Sequence, residues 1–134
     1  MLELTRKMEF SASHRLWRGD WSDERNRGVY GSAAGERVFG HNYSLEVTLA
    51  GELDPETGML IDLSELKQIM EREVGERFDH RNLNEDTPFF RDRAPTAENL
   101  ASSIFDLLDG ALSGELLKRV RLAPTEDLWV EVSR

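Results

Sequence analysis

Two long stretches of alternating apolar and polar residues most constrain the fold of this chain. In residues 2–14 the apolar side chains share one parity: Leu2, Leu4, Met8 and Phe10. In residues 37–50 they also share one parity: Phe39, Tyr43, Leu45, Val47 and Leu49. Because successive side chains of a strand point to opposite faces, each stretch predicts a strand with one buried face.

Two of the three histidines lie on the apolar parity of these predicted strands. Continuing the first strand places His14 on the apolar face, and His41 lies on it within the second strand. An imidazole on such a face needs a partner that offsets its desolvation, either a hydrogen-bonding group or a divalent metal. A histidine in a small domain is more often hydrogen-bonded or exposed than a metal ligand, so the residues alone leave both interpretations open.

A zinc site with an open position takes three protein ligands, and the strand pattern says where a third would be sought. Positions 39 and 41 share one strand face, so a His-x-His pair would use both. Position 39 holds Phe39. Only two histidine ligands are therefore expected from the pattern.

The rest of the chain predicts one long loop and two helices. Residues 15–36 are rich in glycine, serine and charge and show no clear periodicity, which is typical of a loop. Helical spacing of apolar residues over 61–78 and 96–112 predicts two helices, with Asp62 and Thr96 as their N-caps.

Two short alternating stretches near the end, 119–123 and 127–132, predict strands separated by a Pro-Thr-Glu turn. The order is then strand, strand, helix, helix, strand, strand. This order predicts the α+β class, with a four-stranded antiparallel sheet that carries both helices on one face. We expect a single domain over residues 1–134.

Composition excludes several classes of function. The net charge is −9 and no basic patch is segregated along the chain, so a nucleic-acid partner is not expected. No apolar run approaches the roughly 18–20 residues of a membrane span, and no cationic leader opens the sequence, so we expect a cytoplasmic protein without a membrane partner. The chain has no cysteine, which excludes disulfides, thiolate ligands and cysteine nucleophiles.

Five motifs occur in a distinctive order: FSASH (10–14), FGHNYSLEV (39–47), GMLIDLSELK (58–67), FDHRNLN (78–84) and PTAEN (95–99). Together with the closing strands, they resemble the 6-pyruvoyltetrahydropterin synthase family, which includes the 6-carboxytetrahydropterin synthase of queuosine biosynthesis. The resemblance extends over nearly the whole chain. It implies the tunnelling fold, in which three subunits close a twelve-stranded barrel and two trimers stack into a hexamer.

The resemblance also implies a zinc ion held by three histidines. His14 and His41 match two of the family's ligand positions, and Phe39 stands at the third. The family's metal polarises the side-chain oxygen of the substrate, so losing one ligand is expected to weaken metal binding. Zinc is thus the implied cofactor, with one of its ligand positions occupied by Phe39.

The family's catalytic cysteine is missing, although the Asp-His pair that partners it is matched by Asp79 and His80. In one branch of the family a glutamate replaces this cysteine, three residues before the first histidine of His-Gly-His. Glu36 stands three residues before Phe39 and is the implied general base. The alternative is that Glu36 is a solvated loop carboxylate.

Recognition of the pterin in the family uses a Glu-Thr pair after the penultimate strand. Pro124 falls at the glutamate and Thr125 at the threonine, with Glu126 as the nearest substitute carboxylate. Thr96 and Glu98 match the segment that lines the family's pterin pocket. A helix N-cap followed by a first-turn carboxylate explains the same two residues without a ligand.

Two functions follow as expectations. The first is a lyase acting on 7,8-dihydroneopterin triphosphate or a related pterin through an altered active site, with Glu36 as base, Asp79 and His80 as acid or relay, and a metal on His14 and His41. The second is a catalytically inactive tunnelling-fold protein that binds a pterin or purine-like ligand or serves as an assembly module. In both cases the expected partners are a small molecule and further copies of the chain, as trimer or hexamer.

Overall fold

The computed structural model describes the whole chain, residues 1–134. Five strands form one sheet: β1 (Leu2–His14), β2 (Phe39–Gly51), β3 (Arg81–Asn82), β4 (Leu117–Thr125) and β5 (Leu128–Ser133). Their order across the sheet is β3-β1-β2-β4-β5. The four long strands pair antiparallel, and β3 pairs parallel to β1. The alternation of residues 2–14 and 37–50 therefore predicted both central strands correctly.

The sheet differs from the four-stranded prediction by its fifth strand, β3. Its two residues pair with Ala12 and Ser13 of β1. Two residues are too few to show an alternation, which is why the sequence predicted a loop throughout residues 79–95. This short strand fixes the segment that follows Asp79 and His80 against the end of β1.

The helices are α1 (Asp23–Tyr30), α2 (Leu63–Met70), α3 (Glu76–Phe78) and α4 (Ala97–Ala111), and a π-helical stretch (Glu71–Gly75) joins α2 to α3. Both predicted helices are therefore present, and so are their predicted caps. The Asp62 side chain accepts a hydrogen bond from the Ser64 N–H at 2.8 Å. The Thr96 hydroxyl accepts one from the Asn99 N–H at 3.1 Å. The α+β class is confirmed.

Helix α1 lies within residues 15–36, which the sequence predicted to be a loop. The helix is mostly polar and lacks an apolar stripe, so periodicity did not reveal it. It is held instead by polar contacts of its first turns. Ser22 caps it, and the buried Asn26 amide accepts from the Arg18 N–H at 2.7 Å and donates to the Arg18 carbonyl at 2.9 Å.

The core lies between one face of the sheet and the two long helical segments. The apolar parities of β1 and β2 belong to it, together with the buried residues of α2 and α4. The largest of its fully buried side chains include Tyr43, Phe78, Phe90, Leu45, Leu49 and Leu66. The opposite face of the sheet is left polar, and none of the helices has the length and apolar character required to cross a bilayer.

The closing hairpin corrects one detail of the sequence analysis. Pro124 and Thr125 were expected in the turn, but both lie within β4, and the turn consists of Glu126 and Asp127. The pairing of β4 with β5 is irregular between Leu122 and Thr125. A proline is tolerated at such an irregularity because it has no N–H to donate to the ladder.

Candidate functional site

His14 and His41 lie side by side on the core face of β1 and β2. In the strand register His14 is opposite Phe39, and His41 is opposite Ala12. The ring centres of the two histidines are 5.4 Å apart, and the rings of His14 and Phe39 are 6.4 Å apart. The His14 side chain is buried and His41 is half-buried. The alternation thus placed both imidazoles on the correct face.

Tyr43 is the hydrogen-bonding neighbour of this pair. Its Oη lies 3.4 Å from His14 Nδ1, and its ring packs edge-on against His41. Burial, and secondarily the charge of His41, lower the pKa of His14 to about 4. Burial raises the pKa of Tyr43 to about 12. At neutral pH a neutral imidazole therefore faces a protonated phenol, which suits a weak hydrogen bond.

The residues around His14 and His41 do not fit a three-histidine zinc site. An open zinc site takes three protein ligands. Here the third position holds the hydrocarbon ring of Phe39, and no group of three or more His, Cys, Asp or Glu side chains in the chain is arranged to hold a metal ion. Only the two imidazoles of His14 and His41 are therefore available as metal ligands at this position.

Asp79 and His80 follow α3 and are bound to β1 through Ser11. Asp79 Oδ1 accepts a hydrogen bond from the Ser11 N–H at 2.9 Å, and the Ser11 carbonyl accepts one from the His80 N–H at 2.6 Å. Asp79 Oδ2 lies 3.5 Å from His80 Nε2, and the His80 side chain is 82% exposed. The two side chains therefore form a pair that a ligand can reach.

His80 also has an unusual backbone conformation. Its φ is 59°, and it is the only residue other than glycine with a positive φ. This region costs an ordinary residue roughly 1–2 kcal/mol, and such strained residues cluster at functional sites. The hydrogen bonds of Ser11 to both members of the pair hold the strained segment in place.

A cleft of about 550 Å³ brings His41 and His80 together. Ser11, Asn42 and Asp86 contribute to its walls. The Ser11 hydroxyl donates to Asn42 Oδ1 at 2.6 Å, which links the strand that holds Asp79 to the strand that carries His41. The volume is within the range of small-molecule sites, and the lining is suited to a polar ligand.

A second cleft of about 650 Å³ is also lined by His41. Thr125 and Glu126 line it, as does Pro124, which offers no carboxylate. Arg121 also lines this cleft, and its guanidinium lies 3.9 Å from the centre of the Trp129 ring. Gly40, His41 and Asn42 thus line both clefts, and Thr125 and Glu126 line the second.

Glu36 is placed apart from the Asp79–His80 pair. It is exposed and lines a third cleft of about 280 Å³ together with Arg15 and Glu85, and this cleft shares Asn82 with the first. The structure therefore brings Glu36 near the cleft of His41 and His80 without placing it inside.

Thr96 and Glu98 open helix α4. Thr96 serves as the N-cap, and Glu98 is an exposed residue of the first turn. Neither lines any of the three clefts described above. Within one chain, the two residues act as a helix terminus rather than as part of a pocket.

Sequence reasoning did not single out Ser11, Asn42 or Tyr43. A signal for Tyr43 was available, because it shares the parity of His14 and His41 and is two residues from His41. Ser11 and Asn42 lie on the opposite parity, next to the histidine-bearing face, and their role depends on strand register and on the position of Asp79. Only the fold reveals that role.

Comparison with known proteins places the chain in a family. The family model "6-pyruvoyl tetrahydropterin synthase" matches residues 3–134. The human 6-pyruvoyl tetrahydrobiopterin synthase is 40% identical over 125 residues, which cover 93% of this chain and 86% of the human protein. A putative 6-carboxy-5,6,7,8-tetrahydropterin synthase of Archaeoglobus fulgidus is 41% identical over 98 residues, covering 73% of this chain and 77% of that protein.

The solved structure of Caenorhabditis elegans 6-pyruvoyl tetrahydropterin synthase superposes with a TM-score of 0.90 at 34% identity. The superposition covers 99% of this chain and 95% of that one. Sequence and fold agree over nearly the full length. The chain therefore belongs to the 6-pyruvoyl tetrahydropterin synthase family.

Proposed function

We propose that this protein is a pterin carbon–oxygen lyase with an altered active site, acting on 7,8-dihydroneopterin triphosphate or a related pterin. The observation that carries the proposal is the Asp79–His80 pair, held by Ser11 with His80 in a strained backbone conformation at the cleft that His41 also lines. The human relative, named for synthesis of a pterin, supports the substrate class.

The proposed chemistry needs groups that move protons while a carbon–oxygen bond breaks. His80 is the member of the pair that a bound ligand can reach, because most of its side chain is exposed. The Asp79 carboxylate lies 3.5 Å from His80 Nε2 and orients the ring. We assign the general base to Glu36, whose cleft shares Asn82 with the cleft of His41 and His80.

The proposed ligand contacts lie in two regions of the molecule. Thr125 and Glu126 supply a hydroxyl and a carboxylate in the second cleft, where a carboxylate matches the paired N–H donors of a pterin edge. Thr96 and Glu98 line none of the three clefts of a single chain. Their part in ligand binding therefore requires a second copy that brings the start of α4 to the cleft.

The same proposal includes assembly into a trimer or hexamer. The sheet has two open edges, one at β5 and one along β1, where β3 covers only Ala12 and Ser13. Leu128 and Trp129, at the start of the β5 edge, are 56% and 48% exposed. Open strand edges pair with further strands unless they are protected, and closure into a barrel removes them. Light scattering should give a mass of three or six chains.

The activity is tested by incubating the protein with 7,8-dihydroneopterin triphosphate and following release of triphosphate by phosphorus NMR. His80→Asn is the informative variant, because asparagine tolerates a positive φ but does not exchange a proton. We expect release by the wild type and at least a hundredfold slower release by the variant. Equal rates would contradict the assigned role of His80, and no release by the wild type would contradict the lyase.

A second candidate function is pterin binding without turnover. It is favoured by Phe39 at a histidine position of the family, by the lack of any cysteine, and by Pro124 where the family has a glutamate. A pterin that raises the melting temperature, in a protein that releases no triphosphate, would support this candidate. Release that depends on His80 would exclude it.

A further inference from the structure

Residues 14, 39 and 41 bear on whether the chain binds a metal ion, a question that is independent of the proposed lyase activity. We infer that these positions form a metal-ligand set from which one donor is missing. The chain as it stands holds no stoichiometric zinc, and a donor side chain at position 39 completes the set.

The backbone already spaces the rings for a metal ion. With Zn–N bonds of about 2.0–2.1 Å and imidazole centres about 1.1 Å beyond the nitrogen, the ring centres of two tetrahedral ligands are about 5 Å apart. The rings of His14 and His41 are 5.4 Å apart, and the rings of His14 and Phe39 are 6.4 Å apart. An imidazole at position 39 needs only a small adjustment to reach the same ion.

The present side chains supply too few donors for stable binding. The Phe39 ring has no lone pair in its plane, and Tyr43 directs its hydroxyl to His14 Nδ1. No other His, Asp or Glu completes a group of three. Removing a residue that only supports a zinc ligand typically costs 10–100-fold in affinity, so the lack of a direct ligand is expected to cost more.

Position 39 tolerates exchange because Phe39 is 45% exposed at the first residue of β2. Its neighbour Val38 provides a matched control, since it is 49% exposed and precedes the same strand. Residue 38 lies outside the strand pairing that brings residue 39 opposite His14. A histidine at position 38 therefore adds an imidazole nearby without completing the set.

The test loads the wild type, Phe39→His and Val38→His with zinc, removes free metal by desalting, and measures zinc by mass spectrometry. We expect about one equivalent per chain in Phe39→His and less than about a tenth in the other two, because only the first has three donors. Zinc should raise the melting temperature of Phe39→His alone. Cobalt should give the absorption bands of a tetrahedral ion in that variant alone.

Phe39→Cys, which supplies a thiolate, replaces Phe39→His if the latter does not fold. One equivalent of zinc in the wild type, lost on His14→Ala, would overturn the inference. So would a folded Phe39→His or Phe39→Cys that binds no more zinc than Val38→His. These outcomes are read from metal content, so they stay distinct from any result on turnover.

Discussion

The Asp79 carboxylate accepts a hydrogen bond from the Ser11 N–H, 68 residues away in sequence, at 2.9 Å. The Ser11 carbonyl accepts the His80 N–H in return. Both contacts use backbone atoms of β1, so the Ser11 hydroxyl remains available for Asn42. The position of the Asp-His pair is thus set by the central strand of the fold rather than by its own loop.

Replacing Asp79 should separate its structural role from its charge. Asp79→Ala leaves the Ser11 N–H without its acceptor and should lower the free energy of unfolding by about 1–2 kcal/mol. Asp79→Asn keeps an amide oxygen for that hydrogen bond and should cost much less. Urea unfolding measures the difference. If both variants were equally stable, the Ser11 contact would contribute nothing to the fold.

Replacing His80 should reveal the cost of its backbone conformation. Glycine adopts a positive φ without strain, whereas alanine does not, so His80→Gly should be more stable than His80→Ala by about 1 kcal/mol. Both variants lack the imidazole, so its loss does not contribute to the difference between their free energies of unfolding. An alanine variant as stable as the glycine variant would show that the left-handed conformation is not maintained in solution.

The stability of the fold should depend on pH through His14. The pKa of His14 is about 4 in the folded chain and its ordinary value is 6.5, so the unfolded chain binds the extra proton between these values. The contribution of His14 to the free energy of unfolding is therefore fully present above pH 6.5 and is lost as the pH decreases from 6.5 toward 4. Allowing for solvent screening of the partly accessible ring, the loss should be about 2 kcal/mol.

His14→Asn removes this titration while keeping a polar side chain. The difference in unfolding free energy between wild type and variant should narrow from pH 7.5 to pH 5. A difference that stays constant over this range would show that His14 keeps its ordinary pKa in the folded protein.

Exchange of Glu36 tests the assignment of the general base. Glu36→Gln should reduce turnover at least a hundredfold if its carboxylate removes a proton, with stability within about 0.5 kcal/mol of wild type because the residue is exposed. Glu85→Gln is the matched control, since Glu85 lines the same small cleft. Similar rates for the two variants would show that Glu36 is a solvated carboxylate and not the general base.

The parts of the fold that follow from local pattern were predictable. The central strands have thirteen residues each, and their alternation is long enough to define both faces and the orientation of His14 and His41. Helix α1 and strand β3 were missed for physical reasons. The first is held by a cap and the buried Asn26, and the second has only two residues.

The candidate site was predictable only in part. Motif order and strand parity indicated His14, His41, Asp79 and His80, but not that His41 and His80 share a cleft, because that depends on a parallel pairing of β3 with β1. Sequence spacing alone does not determine where the Glu36 side chain lies. Residues 35–38 have no regular structure, so counting from Phe39 does not fix the direction of its side chain.

The most direct test of the account is the rate of triphosphate release from 7,8-dihydroneopterin triphosphate by the wild-type protein in excess chelator, compared with His80→Asn. A pterin lyase that relies on Asp79 and His80 and lacks one zinc donor should release triphosphate in chelator at its usual rate, and His80→Asn should not. Absence of triphosphate release, or release that chelator abolishes and zinc restores, would contradict the claim that this protein is a pterin lyase that acts without bound zinc.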